Sequence, residues 1–369
     1  MKSLHENNIN IQKLNVKYNG ATVGYLQQVE DKIAFQYDNE WVRNGFSVSP
    51  FSLPLTNEIH ISSSPYFGGL YGVFSDSLPD GWGELLIRRL LAKKGINFDK
   101  LSPLARLALI SKNGLGGLTY EPTIADDISR STADLDALYK EIQKILHNSD
   151  KEIDLDKVYA YGGSSGGARP KAHIKENGEE WIVKFASSMD PKNSGELEYI
   201  ANQLAQQSGI NVNEFKLFPS KICTGYFGAK RFDRKDNRRI HMISLSAILE
   251  TTHRIPNLDY AHLFQVIKKI CADKANLYEA YRRMCFNVLY QNKDDHGKNF
   301  SFLYDEDLHG YKLSPAYDTT QTKNKFEHEM TILGEGNPTP KDLHAFAKEM
   351  KLPIKECENI VDKIQSILS

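Results

Sequence analysis

The stretch 291–301 reads Gln-Asn-Lys-Asp-Asp-His-Gly-Lys-Asn-Phe-Ser, a polar run between an apolar helical pattern ending at Tyr290 and an apolar strand-like run over 300–304. It contains Asp294 and, five positions on, Asn299. Asp318 follows nineteen residues later, just past a turn at Ser314-Pro315. An Asp, an Asn five residues on and a second Asp beyond a short hairpin is the spacing of phosphoryl-transfer sites. In those sites the first Asp orients the attacking hydroxyl, while the Asn and second Asp hold Mg²⁺ against nucleotide phosphates. Mg²⁺ prefers hard oxygen ligands and keeps several of its waters, so two such protein groups suffice. On this reading Asp294 is the base, and Asn299 and Asp318 are the metal ligands. Taken alone, the same run also suits a solvated surface loop.

Two upstream features bear on that choice. Residues 161–171 read Tyr-Gly-Gly-Ser-Ser-Gly-Gly-Ala-Arg-Pro-Lys, and glycines allow a backbone to close around phosphate oxygens and aim N–H groups at them. The run is neither G-x-G-x-x-G nor G-x-x-x-x-G-K-[ST], so a Walker-type loop is not supported. Lys184 interrupts an apolar strand pattern over 181–186 and is followed by a helical pattern carrying Glu196 and Glu198. A lone strand lysine usually snorkels to solvent. Here the order Gly-rich loop, strand Lys, helix Glu is that of a kinase amino-terminal lobe, in which the Lys binds phosphates and pairs with the Glu. Glu198 is the expected partner, with Glu196 on another face.

The elements expected to position these groups follow from periodicity. Asn19-Gly20 between β-prone runs predicts a hairpin over 16–26, and alternation predicts strands over 33–37 and 46–49. Trp82, Leu85, Leu86, Arg89 and Leu90 fall at helical spacing with Gly95 as a stop, and a second helix is expected over 101–110. A polar stretch over 122–154, with one amphipathic helix (Leu135, Leu138, Ile142, Ile145), reads as the connection between domains. Beyond it we expect a strand ahead of the Gly-rich loop, a hairpin turning at Asn177-Gly178, a helix over 196–208 closed by Gly209, and short strands around Gly225 ending at Lys230-Arg231-Phe232. The remainder is mostly helical by periodicity.

Composition narrows the function. The 369 residues are 40% hydrophobic and 25% charged, an ordinary balance for a globular protein, and long enough for two domains or a bilobal one. Forty-six Lys and Arg against 47 Asp and Glu argue against a protein that mainly coats nucleic acid. Cys223, Cys271, Cys285 and Cys357 form no C-x-x-C pair, so neither zinc site nor disulfide framework is expected, and reduced thiols in the cytoplasm fit better. The opening residues lack an apolar core of a signal peptide, and no apolar run reaches 18 residues, so neither targeting segment nor membrane association is expected.

With these residues in hand, the chain resembles the HipA family of bacterial serine/threonine kinases, the toxins of toxin–antitoxin modules. The resemblance rests on Ser164 with Gly167, Ala168 and Lys171 in the loop, Lys184, Glu198-Tyr199, Arg231-Phe232-Asp233-Arg234, the run from Asp294 through His296, Lys298 and Asn299 to Ser301, and Asp318. Tyr18-Asn19-Gly20, Gly24, Pro54-Leu55 and the stretch 74–83 extend it to the amino-terminal domain. It implies an α+β, bilobal protein-kinase-like fold with a β-rich N-lobe, an all-helical C-lobe and an N-terminal α/β domain. The expected division is 1–122, then 123–232 for a connecting helix and N-lobe, then 233–369 for the C-lobe.

The resemblance further implies ATP and Mg²⁺ as cofactors and Asp294 as the catalytic residue. Asn299 and Asp318 would bind the metal, and Lys184, paired with Glu198, the phosphates. Gly166, Gly167, Lys171, His296 and Lys298 would complete the nucleotide site with Ser164 and Ser165, while Lys230 to Phe232 would be the hinge facing adenine. A HipB-like DNA-binding antitoxin would be the partner, with DNA reached only through it, and the substrate a protein such as an aminoacyl-tRNA synthetase. Arg169-Pro170 departs from many relatives, and the tail beyond Asp318 is short, which bears on substrate choice. The alternatives are a catalytically weak kinase-like co-repressor acting through its antitoxin, and a small-molecule kinase of the same fold.

Ser164 matches the family's autophosphorylated serine, and Ser165 beside it is the other candidate acceptor. A phosphate there brings about −1.5 to −2 charges, and Lys171 or Arg169 would hold it so as to lock the loop away from ATP. Ser164→Ala should abolish the modification, read by phosphopeptide mass spectrometry. Full inactivation of that variant by prolonged ATP treatment would contradict the switch.

Overall fold

The computed structural model of the protein describes residues 10–110, 114–124, 133–147, 153–163, 166–322 and 324–369. The chain divides into two compact units, residues 1–196 with 215–242, and residues 197–214 with 243–369.

The first unit contains two antiparallel sheets. One has the order Ile59–Ile61, Lys32–Tyr37, Ala21–Val29, Lys13–Tyr18, Leu118–Glu121. Its hairpin turns at Asn19 and Gly20, both at positive φ, as the Asn-Gly signal requires. The expected strand over 46–49 is absent. Its backbone groups are taken by side chains instead: Trp41 Nε1 donates to the Phe46 carbonyl, and the Val48 N–H donates to the Tyr37 hydroxyl. The helix Gly81–Ala92 forms as expected, whereas the helix Pro103–Ala108 is shorter than the 101–110 pattern, starting at the Ser102 cap with proline in its first turn.

The second sheet has the order Lys171–Glu176, Glu179–Lys184, Tyr226–Lys230, Phe215–Phe218, with Asn177 and Gly178 at the positive-φ turn. The segment before the Gly-rich loop is the helix Leu155–Gly162 rather than a strand. Asp154 caps it by accepting the Lys157 N–H, and Leu155 and Val158 one turn apart face the core. The helix Leu135–Leu146 is not a bare linker. Leu138, Ile142 and Ile145 pack with Leu86 and Leu90 of the Gly81–Ala92 helix and with Ile174, Trp181 and Val183 of the second sheet in one apolar cluster.

A buried ionic cluster ties the two sheets. Arg231 makes a bidentate pair with Asp233 (2.8 and 2.6 Å), whose carboxylate also accepts the Gly116 N–H at 2.8 Å. Arg231, Arg234 and Arg239 all donate to the Gly114 carbonyl. Burial alone would raise the Asp233 pKa, but the two neighbouring guanidinium groups and these hydrogen bonds hold it well below the carboxylate range. Burial lowers Arg239 to about 9, with Arg234 and Arg231 adding repulsion.

The second unit packs the helices Tyr260–Ile270, Ala275–Tyr290, Pro340–Glu349 and Ile354–Leu368, with most of Ser194–Gln207. Phe264 meets Phe346 edge-on with ring centroids 4.9 Å apart, and the Tyr281 hydroxyl donates to the Leu343 carbonyl. The unit is not all helical. A three-stranded sheet orders Met242–Ser244, Ser301–Asp305 and Gly310–Leu313, and Leu258–Asp259 pairs in parallel with Met330–Thr331. Of these, Ser301–Asp305 matches the strand-like run expected over 300–304, while the two- and three-residue strands escape a reading by period because so few residues do not establish one. No helix among the described residues is long and apolar enough to cross a membrane.

His241 is fully buried in the first unit, its Nε2 hydrogen-bonded to the Val48 carbonyl (2.9 Å) and its ring against Phe46. Burial lowers its pKa from 6.5 to about 4, partly offset by that bond. As pH falls, the unfolded chain takes up this proton first, so stability is complete above about 6.5 and declines down to about 4. Between pH 7 and pH 5 the loss should be about 2 kcal/mol from this group. Urea titrations at the two pH values should show that the loss shrinks by this amount in His241→Gln; an unchanged difference would refute the assignment.

Candidate active site

The helix Ala275–Tyr290 ends at Gln291, which adopts a left-handed conformation (φ 58°) and turns the chain into the loop carrying Asp294 and Asn299. A buried network fixes the loop. Asn292, 3% exposed, donates through its amide to Asn287 Oδ1 (3.0 Å) and to the Asp318 carbonyl (3.1 Å). Asn287 donates in turn to the Tyr260 hydroxyl, which donates to Asp295 Oδ2 at 2.7 Å. Asp295, fully buried, also accepts His328 Nδ1 (2.9 Å) and the Glu329 N–H (3.0 Å). Burial and the adjacent Asp295 charge raise the Tyr260 pKa far above its ordinary value, so the phenol stays a donor.

Asp294 points the other way. Its carboxylate is 48% exposed and paired with Lys325 at 2.5 Å, and Lys325 also reaches Glu329. Asn299 donates its Nδ2 to the Asp294 carbonyl (2.6 Å), which directs its Oδ1 elsewhere as a hard oxygen donor. Tyr317, the residue before Asp318, donates to the carbonyl of Lys298, the residue before Asn299, at 2.5 Å, and meets the Ser301 hydroxyl at 2.6 Å. Asp318 itself holds a left-handed backbone (φ 54°), an expense of order 1–3 kcal/mol for a non-glycine residue that surrounding contacts must sustain. Gly297 is required by close packing, since a Cβ there would sit 2.5 Å from Ser246 Oγ. The His296 ring meets that of His253 tilted at 54°, centroids 5.2 Å apart, and its buried Nδ1 has no hydrogen-bond partner among the described residues.

Among the described residues no three His, Cys, Asp or Glu side chains gather as a metal cage. The amide and carboxylate oxygens of Asn299 and Asp318 are the small donor set that suits Mg²⁺.

In the first unit, Lys171 and Lys184 are direct cross-strand partners at the open end of their hairpin, on one face of the sheet. Like charges placed opposite one another disfavour a cross-strand pairing, so these two ammonium groups concentrate positive charge at this end of the hairpin. Lys184 Nζ lies 5.7 Å from the Phe227 ring centroid, and Lys171 Nζ donates to the Gly166 carbonyl. Gly167, at φ +82°, is bracketed by the start of the Gly81–Ala92 helix: its N–H donates to Asp80, and its carbonyl accepts the Trp82 N–H at 2.9 Å. Lys230 pairs with Glu179 (2.9 Å), and Phe232 follows it beside the buried Arg231. Glu198 lies in the helical unit, 3% exposed. Ser164 and Ser165 lie outside the described residues.

Asp294, Asn299 and Asp318 are therefore held on one framework within the second unit. Sequence reasoning missed what holds them: Asp295, Tyr260, His328, Lys325 and Glu329. Asp295 was adjacent to the chosen aspartate, but only its partners, 35 and 33 positions away, reveal which of the two is structural.

Comparison with known proteins defines the class first. A solved structure of Shewanella oneidensis MR-1, described as the toxin–antitoxin system HipA, HipB and its operator DNA complex, superposes with a TM-score of 0.72 over 96% of this chain and 90% of that one, at 21% identity. The architecture is thus an α+β fold of the kinase-like HipA type. The chain itself belongs to the HipA family: residues 14–121 match the HipA N-terminal domain, and residues 163–369 match the HipA-like C-terminal domain. A relative from Sinorhizobium fredii, named "Putative kinase Y4dM", is 26% identical over 343 residues, spanning 86% of this chain and 79% of that protein.

Asp295→Ala strands the buried donors of Tyr260 and His328 and the half-buried Glu329 N–H, and should cost about 3–5 kcal/mol. Tyr260→Phe, which removes one hydroxyl, should cost about 1 kcal/mol. Chemical denaturation checks both, and an Asp295→Ala loss below that of Tyr260→Phe would remove Asp295 from its central place.

Proposed function

We propose that the protein is an ATP- and Mg²⁺-dependent serine/threonine protein kinase acting as the toxin of a toxin–antitoxin pair. The observation that carries this reading is the Tyr317 hydroxyl bond to the Lys298 carbonyl, which links the residues immediately preceding Asp318 and Asn299. With Asn299 bonded to the Asp294 main chain, the three phosphoryl-transfer residues share one rigid frame.

Asp294 serves as the proton acceptor for the attacking hydroxyl, its carboxylate reaching solvent. Asn299 and Asp318 hold Mg²⁺, which neutralises phosphate charge and orients the triphosphate when bound. Lys184, for which Glu198 is the expected partner, and Lys171 would contact the phosphates, as would Gly166, Gly167, His296 and Lys298. The main chain from Lys230 to Phe232 faces adenine. This assigns residues 123–232 to the nucleotide-side lobe and 233–369 to the lobe carrying Asp294, with 1–122 as the amino-terminal domain. Ser164 or Ser165 is the autophosphorylation site.

The substrate is a protein of the translation apparatus, such as an aminoacyl-tRNA synthetase, and the site of action is the cytoplasm. A HipB-like antitoxin restrains the kinase and supplies the contact with operator DNA. The Shewanella relative, seen with HipB and its operator, supports that partner.

Asp294→Asn and Asp318→Asn should each lower phosphoryl transfer roughly 10²–10⁴-fold. Melting should stay within about 3 °C, because neither carboxylate is part of the buried anchor. Phosphate incorporation from labelled ATP, alongside ATP turnover, tests this. Near-normal transfer by either folded variant would remove the site assignment.

A further inference from the structure

Lys325 lies outside every motif in the sequence, yet its ammonium is 2.5 Å from Asp294 Oδ1 and 2.5 Å from Glu329 Oε1. Exposed ion pairs contribute only about 0–1 kcal/mol, and this one restrains a long side chain, so stability is a weak reason for a lysine to bridge two carboxylates. Its geometry offers a better one. The Glu329 N–H donates to Asp295 Oδ1, so the residue that anchors Lys325 is itself fixed to the buried carboxylate next to Asp294. Two consecutive aspartates therefore grip the same segment. Asp295 holds its main chain from inside, and Asp294 is held from outside through Lys325. The bond engages Oδ1 of Asp294 and leaves Oδ2 for a hydroxyl.

We propose that Lys325 is a positioning residue for phosphoryl transfer, holding the Asp294 carboxylate in the orientation that accepts the acceptor's proton. This deepens the kinase reading and rests on it. Burial alone would lower the Lys325 pKa, but the two carboxylates outweigh it and keep the ammonium charged. The charge on Lys325 stays in place while the proton moves from the acceptor hydroxyl to Asp294, the new O–P bond forms, and the bond between the γ-phosphorus and its bridging oxygen breaks, ADP leaving with that electron pair. Correct placement of such a base matters steeply: an error of about 1 Å can cost 10²-fold in rate.

The pair can be read without turnover. In the full-length protein, amine acylation followed by mass spectrometry should label Lys325 about tenfold more slowly than the exposed Lys355. Asp294→Asn should raise the Lys325 rate severalfold towards that of Lys355, Glu329 still holding part of the protection, and equal Lys325 rates in wild type and Asp294→Asn would overturn the pairing. In kinetics, Lys325→Met should lower kcat about 100-fold with KM for ATP within about threefold and unchanged melting, and Lys325→Arg should restore most of it. Wild-type or faster turnover in Lys325→Met, with Asp294→Asn inactive, would overturn the inference and leave the kinase reading standing. Normal turnover in Asp294→Asn would instead remove that reading, and the inference with it.

Discussion

The loop that carries Asp294 and Asn299 depends on one buried carboxylate. Asp295 has no solvent contact, so its charge must be met by protein donors, and they come from three places: the start of one helix at Tyr260, the side chain of His328 and the main chain of Glu329. Desolvating a carboxylate costs several kcal/mol, repaid only if its lone pairs are well satisfied. That requirement leaves the loop little freedom. Because Asp294 is the residue immediately before it, fixing Asp295 inward turns Asp294 outward. The hydrogen bonds from Tyr260 through Asn287 and Asn292 to the Asp318 carbonyl extend the same constraint to the second aspartate.

A comparable solution holds the sheet-rich unit. Asp233 is buried among Arg231 and Arg234, and the Gly114 carbonyl gathers three guanidinium groups. The segment linking the amino-terminal sheet to the rest of that unit is thereby clamped by charge-assisted bonds as well as by apolar packing of the Gly81–Ala92 helix. The same helix start brackets Gly167. Gly167 of the glycine-rich run is thus tied by hydrogen bonds to the start of the Gly81–Ala92 helix of the amino-terminal domain.

Local chemistry was legible where it is set by neighbours. Asn19-Gly20 and Asn177-Gly178 gave hairpins because positive φ is needed at both turn positions. Leu138, Ile142 and Ile145 gave a helix because a 3.6-residue period is visible within one segment. The strand expected ahead of the glycine-rich loop is a helix because the Asp154 cap, not β-propensity, decides it. The run over 46–49 is irregular because Trp41 and Tyr37 take its backbone groups. The strand-like run over 300–304 did form the strand Ser301–Asp305, hairpinned to Gly310–Leu313, whereas Leu258–Asp259 and Met330–Thr331 went unseen because each gains its partner from a distant segment.

By itself the sequence determined which chemical groups stand at which spacing, Asp294, Asn299 and Asp318, and Lys184 after a glycine-rich run, since side-chain chemistry and short-range order are written directly in the chain. Tertiary structure decided which of two adjacent aspartates is buried, that His328 and Tyr260 serve the buried one, and that Lys325 grips the exposed one. Those roles depend on burial and on partners dozens of residues apart, and a carboxylate acquires its role from what surrounds it in space.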